Sequence, residues 1–435
     1  MSNIRIGLFG CGVVGQGVMR LLHEHAANIE GRLGSSIEVR RVVVRDLARE
    51  RGPHVDRAIL SSDPDSILND PEIDVVVEVM GGLDHAEQIV RRALADGKAV
   101  VTANKALLAE RGTGLFDLAA TKGLDLYFEA AVAGGVPVIR VLREALTSDR
   151  VASLRGIVNG TSNYILSRMQ DADLDFDAAL KEAQELGFAE ADPTLDVGGG
   201  DAAHKLTILA NLAFGTHVAL QELPIEGIDT VTATDMQFAK RFGFTIKPLA
   251  VARQLTDGSL DLRVHPALVG RTKVLASISG ALNAVYIEGA ALGPCMLSGL
   301  GAGALPTAVS VVSDIVDVGR NLLAQAGGRV KPQVQPHADS EQPRVRSILE
   351  HHCRFYLRFS VRDQSGVLGE LASVLGAHRV SIEQMVQEGH GQDEPVSVVI
   401  LTHPALEGDI RTALATIDAL PSVFSPTRAL RIEEG

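Results

Sequence analysis

The chain has 435 residues, 46% of them apolar, with 41 Lys plus Arg against 54 Asp plus Glu, a net charge of −13. Enough apolar surface is present to bury large cores, so disorder is excluded and the length suits about three domains. An acidic chain with no Trp and 4 Tyr lacks both the charge footprint and the stacking platforms of a nucleic-acid binder.

In chain order, β-branched runs at Ile4–Phe9, Ile37–Val44, Asp74–Val79, Ala99–Thr102 and Leu124–Phe128 alternate with helical patterns such as Val14–Ala27 and His85–Asp96. Continuous apolar strands alternating with helices predict an α/β domain with a parallel, doubly wound Rossmann-type sheet over residues 1–130. The first strand runs into Gly10-Cys11-Gly12-Val13-Val14-Gly15. In that strand–turn–helix context Gly10 permits the turn, Gly12 lets backbone approach a pyrophosphate, and Gly15 lets helix and strand pack. The second strand ends in Arg45-Asp46. Arginine there suits a 2′-phosphate and an acid suits a 2′-hydroxyl, so Arg45 favours NADP, with NAD possible. Thr102 and Lys105 fall at the carboxyl end of the fourth strand, where such sheets bind ligands.

Residues 131–325 predict a mixed α+β domain, with helices at Phe176–Leu186 and Ala202–Phe214 and strands at Leu260–Val264 and Ala284–Glu288. Across the boundary into it runs Glu129-Ala-Ala-Val132-Ala-Gly134-Gly-Val136-Pro137. One carboxylate among small residues exposes backbone oxygens, which suits either a hard cation or a tight hinge. Asn159–Leu166 is a polar loop entering a helix. Gly187–Asp196 carries Glu190, Asp192 and Asp196, then three glycines, then Asp201 and Lys205 at i, i+4 on one helix face. Such a pair is either a simple surface ion pair or, beside this many acids, part of a site. Gly299–Thr307 is another backbone-exposing loop before a helix; residues of about 300–325 are expected to complete the first domain.

Residues 326–350 have linker composition, and 351–435 read as a small βαββαβ module. Cys11, Cys295 and Cys353 are too far apart for a disulfide framework or a C-x-x-C site. The N-terminus enters a strand directly and no apolar run has membrane-spanning length, so a cytoplasmic protein is expected.

Six segments in order, GLFGCGVVGQGV, VTANKALLA, EAAVAGGVPVI, NGTSNYIL, GFAEADPTLDVGGGDAAHKLTILA and GLGAGALPTA, resemble the homoserine dehydrogenase family over residues 1–325. Tyr356–Leu368 resembles the start of an ACT domain, a regulatory module. Leu300 and Ser365 depart from the pattern, standing where proline is common. The resemblance implies NAD(P)-dependent interconversion of L-homoserine and L-aspartate 4-semialdehyde, a step toward threonine and methionine. It implies Lys205 as acid–base lysine, Asp201, one turn earlier, as a substrate-binding carboxylate of the catalytic set, and Lys105 as a second catalytic lysine near substrate and nicotinamide. Glu190 and Asp196 are implied in substrate binding. Cofactor contacts are implied at Phe9, Gly10, Gly12, Val13, Val14, Gly15, Arg45, Thr102, Lys105, Gly187 and Gly303. A monovalent cation, sodium, is implied at Glu129, Val132, Gly134 and Val136, with Glu129 giving its side chain. A homodimer or homotetramer and a threonine effector at the ACT domain follow from the same likeness. Alternatives are another amino-acid dehydrogenase on this scaffold, or an amino-acid sensor with a vestigial catalytic domain.

Overall fold

A computed structural model describes residues 3–333, 342–388 and 395–434. The chain divides into two units built from interleaved stretches: Met1–Gly160, Asp201–Glu222 and Leu282–Gln342 form one, and Thr161–Gly200, Leu223–Ala281 and Pro343–Gly435 the other.

In the first unit, strands β1 (Ile4–Phe9), β2 (Ile37–Val43), β3 (Leu60–Ser61), β4 (Val75–Glu78), β5 (Ala99–Thr102) and β6 (Leu126–Tyr127) form one sheet in the order β3-β2-β1-β4-β5-β6. Every pairing in it is parallel. The doubly wound α/β architecture predicted from strand–helix alternation is therefore present. β4 and β5 are wholly buried, as strands covered on both faces must be. β3 has only two residues, too short for any alternation to register, and the sequence gives no sign of it. One face of the sheet is covered by the helices Val13–Glu24 and Ala304–Leu323, whose Val18, Ala308, Val311 and Ile315 join Ile6, Leu8, Val75 and Val77 in one core. The unit also holds three antiparallel strands, with Leu282–Gly289 between Val151–Ile157 and Gly293–Leu300.

The second unit contains the βαββαβ module: strands His352–Val361, Ile382–Glu388, Val396–Thr402 and Val423–Glu433, with helices Val367–Ala377 and Glu407–Asp418. Alternation along the first strand places Phe355, Leu357 and Phe359 against the module's own helices. Tyr356 faces the other way, into a core with Ile165, Met169, Met236 and Phe238. The module is not set apart by a free linker. Its last strand runs parallel to Leu260–Gly270, pairing Arg431 with Ala267 and Ile432 with Leu268, and Val345 of the expected linker bridges to Leu260. The rest of that linker lies partly outside the described residues. Ion pairs lock the joint: Glu433, 3% exposed, takes Arg253 and Arg263, and Arg431 takes Glu226 and Glu407. Breaking a buried pair from one side costs on the order of 3–5 kcal/mol, so this strand does not fray like an ordinary terminus. Among the described residues no helix is long and apolar enough to cross a membrane.

Candidate active site

The glycine turn performs three separate jobs. Gly10 sits at φ +97, and a Cβ there would come 2.9 Å from the Met80 backbone. A Cβ on Gly15 would meet the Gly10 carbonyl oxygen at 2.3 Å, so that glycine exists for helix–strand packing. Gly12 is different: nothing lies within 4 Å of its Cβ position. The helix that starts at Val13 has no side-chain cap, so its first N–H groups and positive end are available to an anion. Open space beside uncapped amides fits a pyrophosphate. Gly12→Val should therefore weaken cofactor binding at least about tenfold (on the order of 1.4 kcal/mol) without lowering the thermal midpoint, whereas Gly15→Val should lower the midpoint. Fluorescence titration with NADPH and a thermal melt separate the two.

Gln16 fastens the loop after β2 to this turn, accepting from the Gly52 N–H at 2.8 Å and donating to the Gly12 carbonyl. In that loop the Asp46 carboxylate folds back onto the N–H groups of Ala48 and Arg49. Arg45, beside it, is exposed. Of the two adjacent charges, the acid is spent on its own turn.

Phe9 is fully buried at the end of β1, and Val13 is exposed while Val14 is half-buried on the helix it opens. At the end of β5, Thr102 donates to Glu78 at 2.6 Å, and the other Glu78 oxygen accepts from Met80 and Gly81. Glu78 is buried and organises this edge, yet it lies in a plain apolar strand and carries no motif. Asn104 caps the helix Lys105–Lys122 through the Leu107 N–H, which fixes Lys105 as the first helical residue. Gly303, at φ +121, precedes the helix Ala304–Leu323.

The centre of the first unit's chemistry is Asp201. One of its oxygens meets the Lys105 ammonium at 2.8 Å, the other the Lys205 ammonium at 2.7 Å. The second oxygen also accepts from Asn159 at 2.8 Å. Lys205 donates further to the Val158 carbonyl at 2.7 Å, and Asn283 donates to the same carbonyl at 3.0 Å. Asp201 and Lys205 are buried, whereas the Lys105 side chain stays 35% exposed. Burial alone would raise the Asp201 carboxyl, but the Lys205 and Lys105 ammonium groups outweigh it and hold it well below the usual carboxylate range. The i, i+4 spacing of Asp201 and Lys205 is visible in sequence; the convergence of Lys105 is not, because two distant segments supply it. Asn159 lies in a segment read only as a polar loop. Asn283 stands in a strand and nothing in the sequence singles it out.

Gly187, at φ +76, Glu190 and Asp196 belong to the second unit. Glu190 is exposed, with its carbonyl accepting from Gln184, and the Asp196 carbonyl accepts from Ser162 at 2.9 Å.

The loop from Glu129 is tight: Ala133 and Gly134 are both left-handed, at φ 55 and 51. The Glu129 carboxylate anchors backbone, accepting from Ile139 at 2.9 Å and Arg140 at 2.8 Å. The Gly134 carbonyl accepts from Ser310, and that of Val136 from Val138. Each of these oxygens keeps a second lone pair. Asp314 receives the Glu129 N–H, and burial, reinforced by the Glu129 carboxylate, pushes it up to about 8. Among the described residues no group of three or more His, Cys, Asp or Glu side chains could hold a metal ion, so a cation here would rest mainly on backbone oxygens.

Comparison with known proteins was made on this background. The family described as "Homoserine dehydrogenase" matches residues 137–316, "Homoserine dehydrogenase, NAD binding domain" residues 10–129, and "ACT domain" residues 355–422. A homoserine dehydrogenase of Pseudomonas aeruginosa is 42% identical, covering 100% of both chains. The crystal structure of a homoserine dehydrogenase from Thiobacillus denitrificans superposes with a TM-score of 0.91 at 42% identity, over 99% of this chain and 98% of that one. A hyperthermophilic archaeal homoserine dehydrogenase in complex with NADPH gives a TM-score of 0.62 at 25% identity, over 77% of this chain and 100% of that one.

Proposed function

This chain belongs to the homoserine dehydrogenase family, NAD(P)-dependent oxidoreductases of a CH–OH group, and from that premise we propose that Lys205 moves the proton and Lys105 stabilises the oxygen that loses it. The observation that carries this is the single buried carboxylate, Asp201, shared by both lysines at 2.7 and 2.8 Å.

The nicotinamide, when bound, supplies the hydride chemistry. In the oxidative direction Lys205, having first released its ammonium proton to solvent, takes the hydroxyl proton as the neutral amine, and in the reverse direction its ammonium gives that proton to the developing alkoxide. The Lys105 ammonium stabilises negative charge on that same oxygen. Asp201 keeps both lysine nitrogens in register. Glu190, Asp196 and Asp201 are the carboxylates proposed for the substrate, as the family resemblance implies, together with Lys105. Lys205 has one further acceptor, the Val158 carbonyl, which limits its rotation.

The exposed guanidinium of Arg45, next to an Asp46 committed to its own turn, supports NADP over NAD. Phe9, Val14, Thr102, Gly187 and Gly303 complete the proposed cofactor contacts. Arg45→Ala should raise KM for NADP about tenfold or more while leaving KM for NAD nearly unchanged, since a charge-assisted contact is worth on the order of 1.5–3 kcal/mol. Homoserine oxidation assayed with each cofactor checks it; equal losses with both would remove Arg45 from cofactor choice.

A sodium ion on the spare lone pairs of Glu129, Val132, Gly134 and Val136 would hold the loop that carries Asp314's partner, with no direct part in proton transfer. A homodimer or homotetramer in the cytoplasm, with threonine as effector of the ACT domain, completes the proposed reading.

A further inference from the structure

Within the first unit, Val158 and Asn159 follow the strand Val151–Ile157, and this dipeptide serves both members of the buried Asp201–Lys205 pair. The Val158 carbonyl accepts from Lys205 at 2.7 Å, and the Asn159 side chain donates to Asp201 at 2.8 Å. Asn283 holds the dipeptide from the neighbouring strand. Pairing of Ala284 with Ile157 in the antiparallel ladder sets Asn283 opposite Val158, and its side-chain N–H donates to the Val158 carbonyl at 3.0 Å. A carbonyl oxygen has two lone pairs, so Lys205 and Asn283 between them use both.

Asn283 is 1% exposed, and among the described residues its Oδ1 accepts from nothing. A buried amide with only one half bonded costs stability, and an apolar side chain of similar shape would avoid that cost. What the asparagine adds over such a side chain is the one donor on Val158. The backbone around it makes room for that donor. Gly301 has no left-handed conformation to explain it, yet a Cβ there would come 2.0 Å from the Asn283 amide. Gly134 in turn admits the Gly301 carbonyl, which a Cβ would meet at 2.4 Å. Two glycines thus let the loops at 134 and 301 close on the amide.

A lysine nitrogen is tetrahedral, with one position taken by its own chain and three left over. At Lys205, Asp201 fills one of the three and the Val158 carbonyl a second. The direction of the last is then fixed. It carries a lone pair when the amine is neutral and an N–H when it is an ammonium, and it is the position that exchanges a proton with the substrate oxygen. With the carbonyl displaced, the lone pair of the neutral amine can settle in the second position instead, turned away from the substrate.

We propose that Asn283 is a positioning residue for proton transfer: by pinning the Val158 carbonyl it keeps the free position of the Lys205 nitrogen on the substrate oxygen. This role rests on the reading of Lys205 as the acid–base lysine.

Asn283→Leu removes the donor while the carbonyl keeps Lys205, so the thermal midpoint should stay close to that of the unsubstituted protein. Its kcat for homoserine oxidation should fall about ten- to a hundredfold, as small misplacements of a reacting group do, with KM for homoserine and NADPH affinity unchanged. The solvent deuterium isotope effect on kcat should rise, because proton transfer becomes more rate-limiting; a loss of folded enzyme would lower kcat without moving it. Gly301→Ala, which displaces the amide without removing a polar group, should give the same pattern and serves as the test where the leucine variant does not fold. On a Lys205→Ala background neither substitution should cost anything further, because residues acting as one unit are not additive. An unchanged kcat in a folded variant, a kcat loss with an unmoved isotope effect, or a rise in KM that accounts for the loss overturns the proposal. A full further loss on the Lys205→Ala background also overturns it, by showing that Asn283 acts elsewhere. Turnover retained by Lys205→Ala alone would instead sink the acid–base reading, and the role of Asn283 with it.

Discussion

Lys205→Ala is expected to lower kcat for homoserine oxidation by about 10²–10⁴-fold, the usual contribution of a positioned acid–base group, while NADPH still binds. The site explains why the loss should be confined to chemistry. Lys205 touches Asp201 and the Val158 carbonyl, neither of them in the glycine turn at residues 10–15 that is assigned to the cofactor. With Lys205 removed, Asp201 keeps Lys105 and Asn159, so no carboxylate is left buried without a donor and the fold should persist. Steady-state kinetics beside a NADPH titration reads both halves. Turnover near the wild-type rate would remove Lys205 from proton transfer.

Asp201→Asn should be costly in two ways. Replacing the shared carboxylate leaves two ammonium groups facing each other, one of them buried, and removing one partner of a buried pair costs on the order of 3–5 kcal/mol. A comparable loss of turnover should accompany it, because the lysines lose the group that fixes their spacing. The stability difference has a defined pH dependence. The folded-state carboxyl is held well below its ordinary value; the unfolded carboxyl titrates near 3.9. The stabilisation is therefore fully present above about pH 4 and fades as pH falls toward the folded value. Urea unfolding of the two proteins should show a gap at neutral pH that narrows in acid. A gap that is constant, or that widens as pH falls, would mean Asp201 is not held by the lysines. The Asp201→Asn and Lys205→Ala effects should also be strongly non-additive, since the two residues act as one unit.

The sheet was legible because its strands are continuous β-branched runs separated by helical periods, a signal local to each segment. The glycine turn was legible for the same reason: strand, G-x-G-x-x-G and helix follow one another in the chain. Arg45 and Asp46 were visible as a pair but not as a choice, because only the fold shows Asp46 bonded to Ala48 and Arg49. At the centre of the site, Asp201 and Lys205 were readable from i, i+4 spacing. The arrival of Lys105, Asn159 and Asn283 depends on tertiary structure that no spacing encodes. Glu129 stands in a small-residue loop that reads as either a cation ligand or a tight hinge, and only the fold shows its oxygens accepting from the N–H groups of Ile139 and Arg140. The C-terminal module was legible as βαββαβ from its own alternation. Its attachment to Leu260–Gly270 was not, because strand pairing between distant segments leaves no local mark.

A crystal of the full chain with homoserine and NADP tests the central claim most directly. The account predicts the substrate hydroxyl oxygen within hydrogen-bond reach of the Lys205 ammonium nitrogen, about 2.6–3.2 Å, with Lys105 bonded to the same oxygen. A hydroxyl turned away from both lysines, with another side chain in that position, would contradict it.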